Sequence, residues 1–264
     1  MITPYDPLRG IDFYLDASGE DDWSINAKQF YLLGFMVCAP SSEWIRWIET
    51  HRTKFDGMIH WSDGRCGRQK QKLPNIKGEC RALLAAHPWL QTGICAFDVK
   101  TFKDFLRKKL NRDITRYEVT RRLWRIEAVS YLKMLIPYLK EAVPSDPWGC
   151  LNVRDIVINN PKGGNRGLIE GSVKEEFGRT PKFVPAGHYG IDALDGVLWA
   201  FQRCLNLGKT DCLPGHPRDF ADDFNVVVLG MKSDKPILLR NIRDIEAFKN
   251  GNVLTLETVD PRKP

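Results

Sequence analysis

Two aspartates stand where a carboxylate can do chemistry. Asp16 follows an alternating run in which Ile11, Phe13 and Leu15 interleave with Asp12 and Tyr14, the period of a β-strand, just before Ser18-Gly19. It shares a face with Asp12 and Tyr14, and a carboxylate at a strand end reaches a cleft that mid-strand residues cannot. Asp195 falls in a helical stretch, 188 to 205, whose apolar stripe is Ile191, Leu194, Leu198, Phe201 and Leu205. It lies between Ile191 and Leu198 on the helix surface and so borders the buried face, with Asp192 as its surface neighbour. A carboxylate at a core margin needs a partner. A hydrogen-bonding or arginine partner is one answer, and a divalent cation is the other.

Carboxylates gathered from a first strand, a later strand and a late helix suit Mg²⁺ or Mn²⁺, hard ions that take oxygen ligands and are shared with phosphates. Such ions activate water and stabilise a leaving oxygen with no covalent protein nucleophile. His60 and Asp63 can position a substrate or shuttle a proton, since imidazole titrates near neutrality; a structural histidine in a loop is the alternative. Other chemistries find no support. There is no Gly-x-Ser-x-Gly elbow, and Leu207-Gly208-Lys209-Thr210 lacks the earlier glycine of a phosphate-binding loop. The seven cysteines contain no C-x-x-C pair, and an odd number of free thiols suits a reducing compartment.

Charge is concentrated. Between Lys100 and Arg125 ten basic residues face three acidic ones, a local charge of +7 in a chain whose formal net charge is +6. Lys108, Lys109, Arg112, Arg116, Arg121, Arg122 and Arg125 are the candidate phosphate contacts there, and Arg65 and Arg68 lead a second cluster. A solvated helix face is the plain alternative. Trp61, set among these basic residues, is the aromatic nominated for stacking on a base.

These residues need a scaffold. With 264 residues, the chain is long enough for one elaborated domain that buries a core. No apolar run spans a membrane, and Met1 to Gly10 lacks the apolar centre of a signal peptide, so the expected compartment is the cytoplasm. Strands are expected at Ile11–Leu15, Gln29–Val37, Gly93–Val99 and Leu151–Ile158, the second buried on both faces. Helices are expected from Ser41 or Ser42, over Lys77–Ala86, from Thr101, over 115–141 and over 188–205, with a loop at Gly57–Asn75. Two β-like runs, Asn225–Leu229 and Pro236–Leu239, precede a charged tail. The order predicts one α/β domain with a small C-terminal β-containing appendage.

Several blocks resemble the family called domain of unknown function 3800. Its strand ending in Asp-Glu-Ser-Gly is matched by Tyr14-Leu15-Asp16-Ala17-Ser18-Gly19, and the next apolar strand by Phe30 to Val37. Its His-aromatic-Ser-Asp block is matched by His60-Trp61-Ser62-Asp63, its strand ending in Lys by Ala96 to Lys100, and its late helix by Ala193 to Ala200. The resemblance implies an RNase H-like mixed sheet flanked by helices over 1–215, with 216–264 as an appendage packed on the same domain. It also implies a divalent-metal nuclease centre with Asp16 and Asp195 as ligands. Ala17 stands where the family has an acid. The strand expected to supply another carboxylate ends in Asn159-Asn160, which coordinate through a carbonyl oxygen but bring no charge. Asn159 and Asp192 are therefore assisting ligands, and Glu170, Glu175 or Glu176 are further substitutes. The expected function is Mg²⁺- or Mn²⁺-dependent hydrolysis of nucleic acid. The alternatives are a catalytically silent nucleic-acid-binding or adaptor protein that keeps the fold, and a scaffold whose basic helix docks an acidic protein.

Overall fold

The computed structural model describes residues 11–18, 30–38, 42–85, 90–115, 153–160, 166–185, 187–232, 236–254 and 256–258. The expected helix over 115–141, with Arg116, Arg121, Arg122 and Arg125, lies outside the described residues, as do 161–165 of the glycine-rich turn.

The centre is a seven-stranded mixed sheet in the order β10-β9-β6-β2-β1-β7-β8. The first strand, β1 (Ile11–Ser18), pairs antiparallel with β2 (Phe30–Cys38), which pairs antiparallel with β6 (Leu90–Asp98). On the other side of β1, β7 (Val153–Asn159) runs parallel to it and β8 (Lys182–Val184) runs parallel to β7. An antiparallel meander followed by two parallel strands beside the first is the RNase H-like order, and the fold is an RNase H-like mixed α/β sheet. The C-terminal strands β9 (Val226–Met231) and β10 (Pro236–Leu239) extend the sheet beyond β6, with β9 parallel to it.

Alternation along the strands sends side chains to two faces, each closed by helices. Tyr14, Leu32, Met36, Ile94, Ala96 and Val157 meet α1 (Ser42–Phe55), α2 (Ile76–Ala85), α5 (Tyr189–Leu207) and α7 (Ile242–Lys249). Phe13, Leu15, Leu33, Phe35, Cys95 and Ile158 meet α3 (Val99–Leu110) and α4 (Arg166–Phe177). A five-residue helix, α6 (Phe220–Phe224), leads into β9. Helix starts follow local chemistry: Asp98 Oδ1 accepts from Thr101 N at 3.0 Å and Asn241 Oδ1 from Arg243 N at 3.0 Å. The expected loop at Gly57–Asn75 instead holds a small antiparallel sheet of two-residue strands, β3 (Ile59–His60), β4 (Arg65–Cys66) and β5 (Gln71–Lys72). Among the described residues no helix is long and apolar enough to cross a membrane.

Candidate functional site

Asp16 lies on the α5 face of β1. Tyr14 belongs to that face while Phe13 and Leu15 belong to the other, so Asp12, Tyr14, Asp16 and Ser18 stand in one row beneath α5. Three contacts fix how the helix crosses it. At one end a Cβ on Gly190 would fall 2.2 Å from Tyr14 Cε1, so only glycine lets α5 descend onto that ring. At the other, Ser18 Oγ donates to Gln202 Oε1 at 3.0 Å. Between them Gly34, the β2 partner of Asp16, receives Leu194 and Leu198, whose methyl carbons would stand 3.2 and 2.7 Å from a Cβ there. The stretch of α5 that carries Asp195 therefore passes over the level of Asp16. Asp16 is buried, and its Oδ1 accepts from Ala17 N at 2.8 Å.

The parallel register adds Asn159. Tyr14 pairs with Val157 and Leu15 with Ile158, so the next step sets Asn159 beside Asp16. Val157 shares Tyr14's cluster and Ile158 shares Leu15's, so Asn159 faces α5 as Asp16 does. Both residues stand at carboxyl ends of adjacent parallel strands, where open α/β sheets hold ligands. Asn160 turns away, exposed, with its N–H donating to Val184 O at 2.8 Å. Asp155 lies earlier, opposite Asp12, and is tied to Lys182 at 2.7 Å.

Burial, and secondarily the charge of Asp192, pushes the Asp195 carboxyl up to about 7. Asp192, the neighbour of Asp195 one turn back, is buried: its Oδ2 accepts from His51 Nε2 at 3.2 Å and from Ile59 N at 3.1 Å. Its backbone carbonyl accepts from Trp61 Nε1 at 2.8 Å. Those bonds pin α1 and the small sheet to α5 and commit Asp192 Oδ2 to the fold.

Trp61 corrects an expectation. It is 2% exposed and packed over Gly196 and Trp199, so its ring is not offered to a base. An indole whose N–H reaches a carbonyl is more stable inside than out. His60 is half-buried on β3, and its Nε2 is buried with no hydrogen-bond partner. Arg65 and Arg68 are exposed on and beside β4. Lys108 and Lys109 are exposed near the end of α3 and Arg112 just beyond it. Because Phe102 and Leu106 bury α3 in the cluster opposite α5, this part of the basic segment lies on the sheet face away from Asp16. Ile169 and Val173 bury α4 in that same cluster, so Glu170 and Glu175 belong to that layer too.

Four further residues shape the site. Ser18 and Gln202 hold α5 against β1, and the buried Nε2 of Gln202 has no partner. Arg154 grips Asp12 through Nε at 2.7 Å and through its second nitrogen, holding that buried carboxylate as an ion pair. His188, at the N-cap of α5, stacks on Tyr189 with ring centroids 4.3 Å apart. Burial pushes its imidazole down, against the upward pull of Asp192 and Asp12. Only the polar character of Gln202 beside the stripe residue Phe201 is visible in sequence.

The fold and these residues define a three-layer α/β protein of RNase H-like strand order, with Asp16 and Asn159 at the ends of adjacent parallel strands beneath the helix that carries Asp195. No family model matches the chain, and no curated protein matches it. Among solved structures it is similar to a chain of the PCNA:RNase HII complex from Archaeoglobus fulgidus, at 7% identity and a TM-score of 0.40, over 73% of each chain. The fold assignment rests on the strand order and not on that likeness.

Proposed function

We propose that the chain is a divalent-metal-dependent phosphodiesterase that hydrolyses nucleic acid, and that it belongs with the family called domain of unknown function 3800. The observation that carries this reading is the parallel register Leu15 to Ile158, whose next step sets Asn159 beside Asp16 under the stretch of α5 that bears Asp195. All three offer oxygen, the donor that Mg²⁺ and Mn²⁺ prefer. Among the described residues there is no group of three His, Cys, Asp or Glu that could hold a metal. The set fits a weakly held hard cation that keeps several of its waters, with Asp16, Asn159 and Asp195 as the protein ligands. Such an ion would supply charge neutralisation at a phosphodiester and activation of water. Asp16 contributes a carboxyl group at the strand end. Asp195, raised to about 7 in the metal-free chain, would give up a proton to bind the ion, so that binding should strengthen as pH rises through neutrality.

The test is cleavage of labelled single- and double-stranded DNA and RNA and an RNA–DNA hybrid with Mn²⁺, beside Asp16→Ala and Asp195→Ala. Cleavage by the wild type that disappears in both variants is expected. Cleavage that survives Asp16→Ala overturns the reading. A second reading, a silent nucleic-acid binder on the same fold, draws on Asn159, an uncharged amide at the end of β7. It predicts salt-sensitive binding with no cleavage of any substrate.

A further inference from the structure

The small sheet lines up three basic side chains. His60 pairs with Arg65, and Arg65 pairs with Lys72, so the three stand in one row across β3, β4 and β5. Ile59 and the half-buried Cys66 pack into the core on one face, which places His60, Arg65 and Lys72 on the other.

Two features of this row have no structural rationale. Like charges directly opposite in an antiparallel pair destabilise a sheet, yet Arg65 faces Lys72. Three nearby cations are compensated: Lys77 meets Asp211 at 2.6 Å, Lys54 meets Glu79 at 2.5 Å and Arg68 meets Asp56 at 3.8 Å. Among the described residues Arg65, Lys70 and Lys72 have no carboxylate partner. His60, at the sheltered end of the row, has a buried Nε2 that bonds to nothing, and a buried polar atom left unmatched calls for a ligand or a cost. Lys70 adds a left-handed backbone at φ +51°, held by its N–H to Gly67 O at 3.0 Å.

We propose that the His60–Arg65–Lys72 row binds the phosphodiester backbone of nucleic acid, deepening the function proposed above, on which it rests. Strands about 4.8 Å apart make the row ~10 Å long, long enough to meet more than one phosphate of a strand. Arg65 offers the forked donors that suit phosphate oxygens. The row is also rigidly placed. Ile59 N and Trp61 Nε1 are both bonded to Asp192, and Trp61 packs on Gly196, the residue after Asp195. A strand held by the row therefore lies on the α5 side of the sheet, the side of Asp16.

The experiment is anisotropy of labelled single- and double-stranded oligonucleotides on the full chain across a salt series. The comparison is wild type, Arg65→Ala/Lys72→Ala, His60→Ala, and Arg243→Ala on the exposed side of α7 as a charge-loss control. The double variant is expected to bind more weakly and to flatten the log–log salt slope by ~1.8 for duplex or ~1.4 for single strands, two phosphate contacts' worth. His60→Ala weakens binding, and Arg243→Ala keeps the wild-type slope. Because Arg65 and Lys72 repel, the double variant melts no lower than wild type, which separates lost binding from lost folding. An unchanged slope in the double variant overturns the inference, as does a wild type that binds no oligonucleotide, or one from which polyglutamate displaces oligonucleotide equally well. Row-dependent binding without cleavage upholds the row and overturns the nuclease.

Discussion

Ser18 Oγ donates a 3.0 Å hydrogen bond to Gln202 Oε1, joining the end of β1 to the last turns of α5. Together with the seat of Gly190 on Tyr14 at the other end, it holds the helix over Asp16. Gln202 already leaves Nε2 buried and unmatched. Ser18→Ala takes its remaining partner, and a buried amide stripped of bonds costs about 1–3 kcal/mol. Ser18→Ala/Gln202→Leu removes both polar groups and should recover part of that loss. Urea denaturation of the two singles and the double closes the cycle. Additive effects would deny the coupling.

Asp192 makes an opposite demand on stability from a metal ligand. A carboxylate kept only for a cation repels its neighbours in the absence of the ion, so its removal stabilises the metal-free chain. Asp192 instead satisfies His51 and Ile59 N–H in the core. Asp192→Ala should therefore cost about 1–3 kcal/mol or more in metal-free buffer, the penalty for leaving buried donors without an acceptor. A denaturation midpoint at or above that of the wild type would return Asp192 to the candidate ligands.

Asp195 gives stability a sign with pH. Its carboxyl is pushed up to about 7 in the fold, against about 3.9 in an unfolded chain. Between those values the folded state holds a proton that the unfolded state releases, so the contribution is full at low pH and is lost as pH rises from about 4 to about 7. Measured without metal, wild type should lose on the order of a few kcal/mol across that window relative to Asp195→Asn, which does not titrate. Since the Asp192 charge helps to raise Asp195, Asp192→Ala should shrink the decline. Parallel stability curves for wild type and Asp195→Asn would contradict the raised carboxyl of this half-buried group.

What the sequence made legible follows from what periodicity carries. Phe30–Cys38 and the stripe from Ile191 to Leu205 are long enough to express one period, and the stripe residues are buried. The small sheet was not legible: two-residue strands have no period, and their register depends on turns at Gly64 and Gly67, both left-handed. Trp61 was misjudged for the same reason. Its basic neighbours were visible, but the carbonyl of Asp192 that draws it inside is 131 residues away. Helix α7 reads as a charged tail because Ile245 and Phe248 are its only fully buried side chains. Asp16 and Asp195 stood out singly as acids at a strand end and a stripe margin. That Asn159 lies beside Asp16 is set by parallel pairing between distant strands, which no local pattern encodes.

Asn159 offers the sharpest gain-of-function test. The register sets it beside Asp16, and its amide brings a carbonyl oxygen without charge. Asn159→Asp changes one atom type and adds the missing negative charge at nearly constant volume. In the absence of metal, two carboxylates side by side repel, so the variant should be less stable than wild type, by an amount that grows as pH rises above the carboxylate range. Calorimetric titration with Mn²⁺ should show the reverse preference, with binding tighter by about tenfold (~1.4 kcal/mol) if the added charge is used by the ion. Mn²⁺ should then raise the melting temperature of Asn159→Asp more than that of wild type, since an ion bound only by the folded state stabilises it. An Asn159→Asp chain that is destabilised and gains no Mn²⁺ affinity would place the cation elsewhere and leave Asp16 and Asn159 as neighbours without a shared ligand.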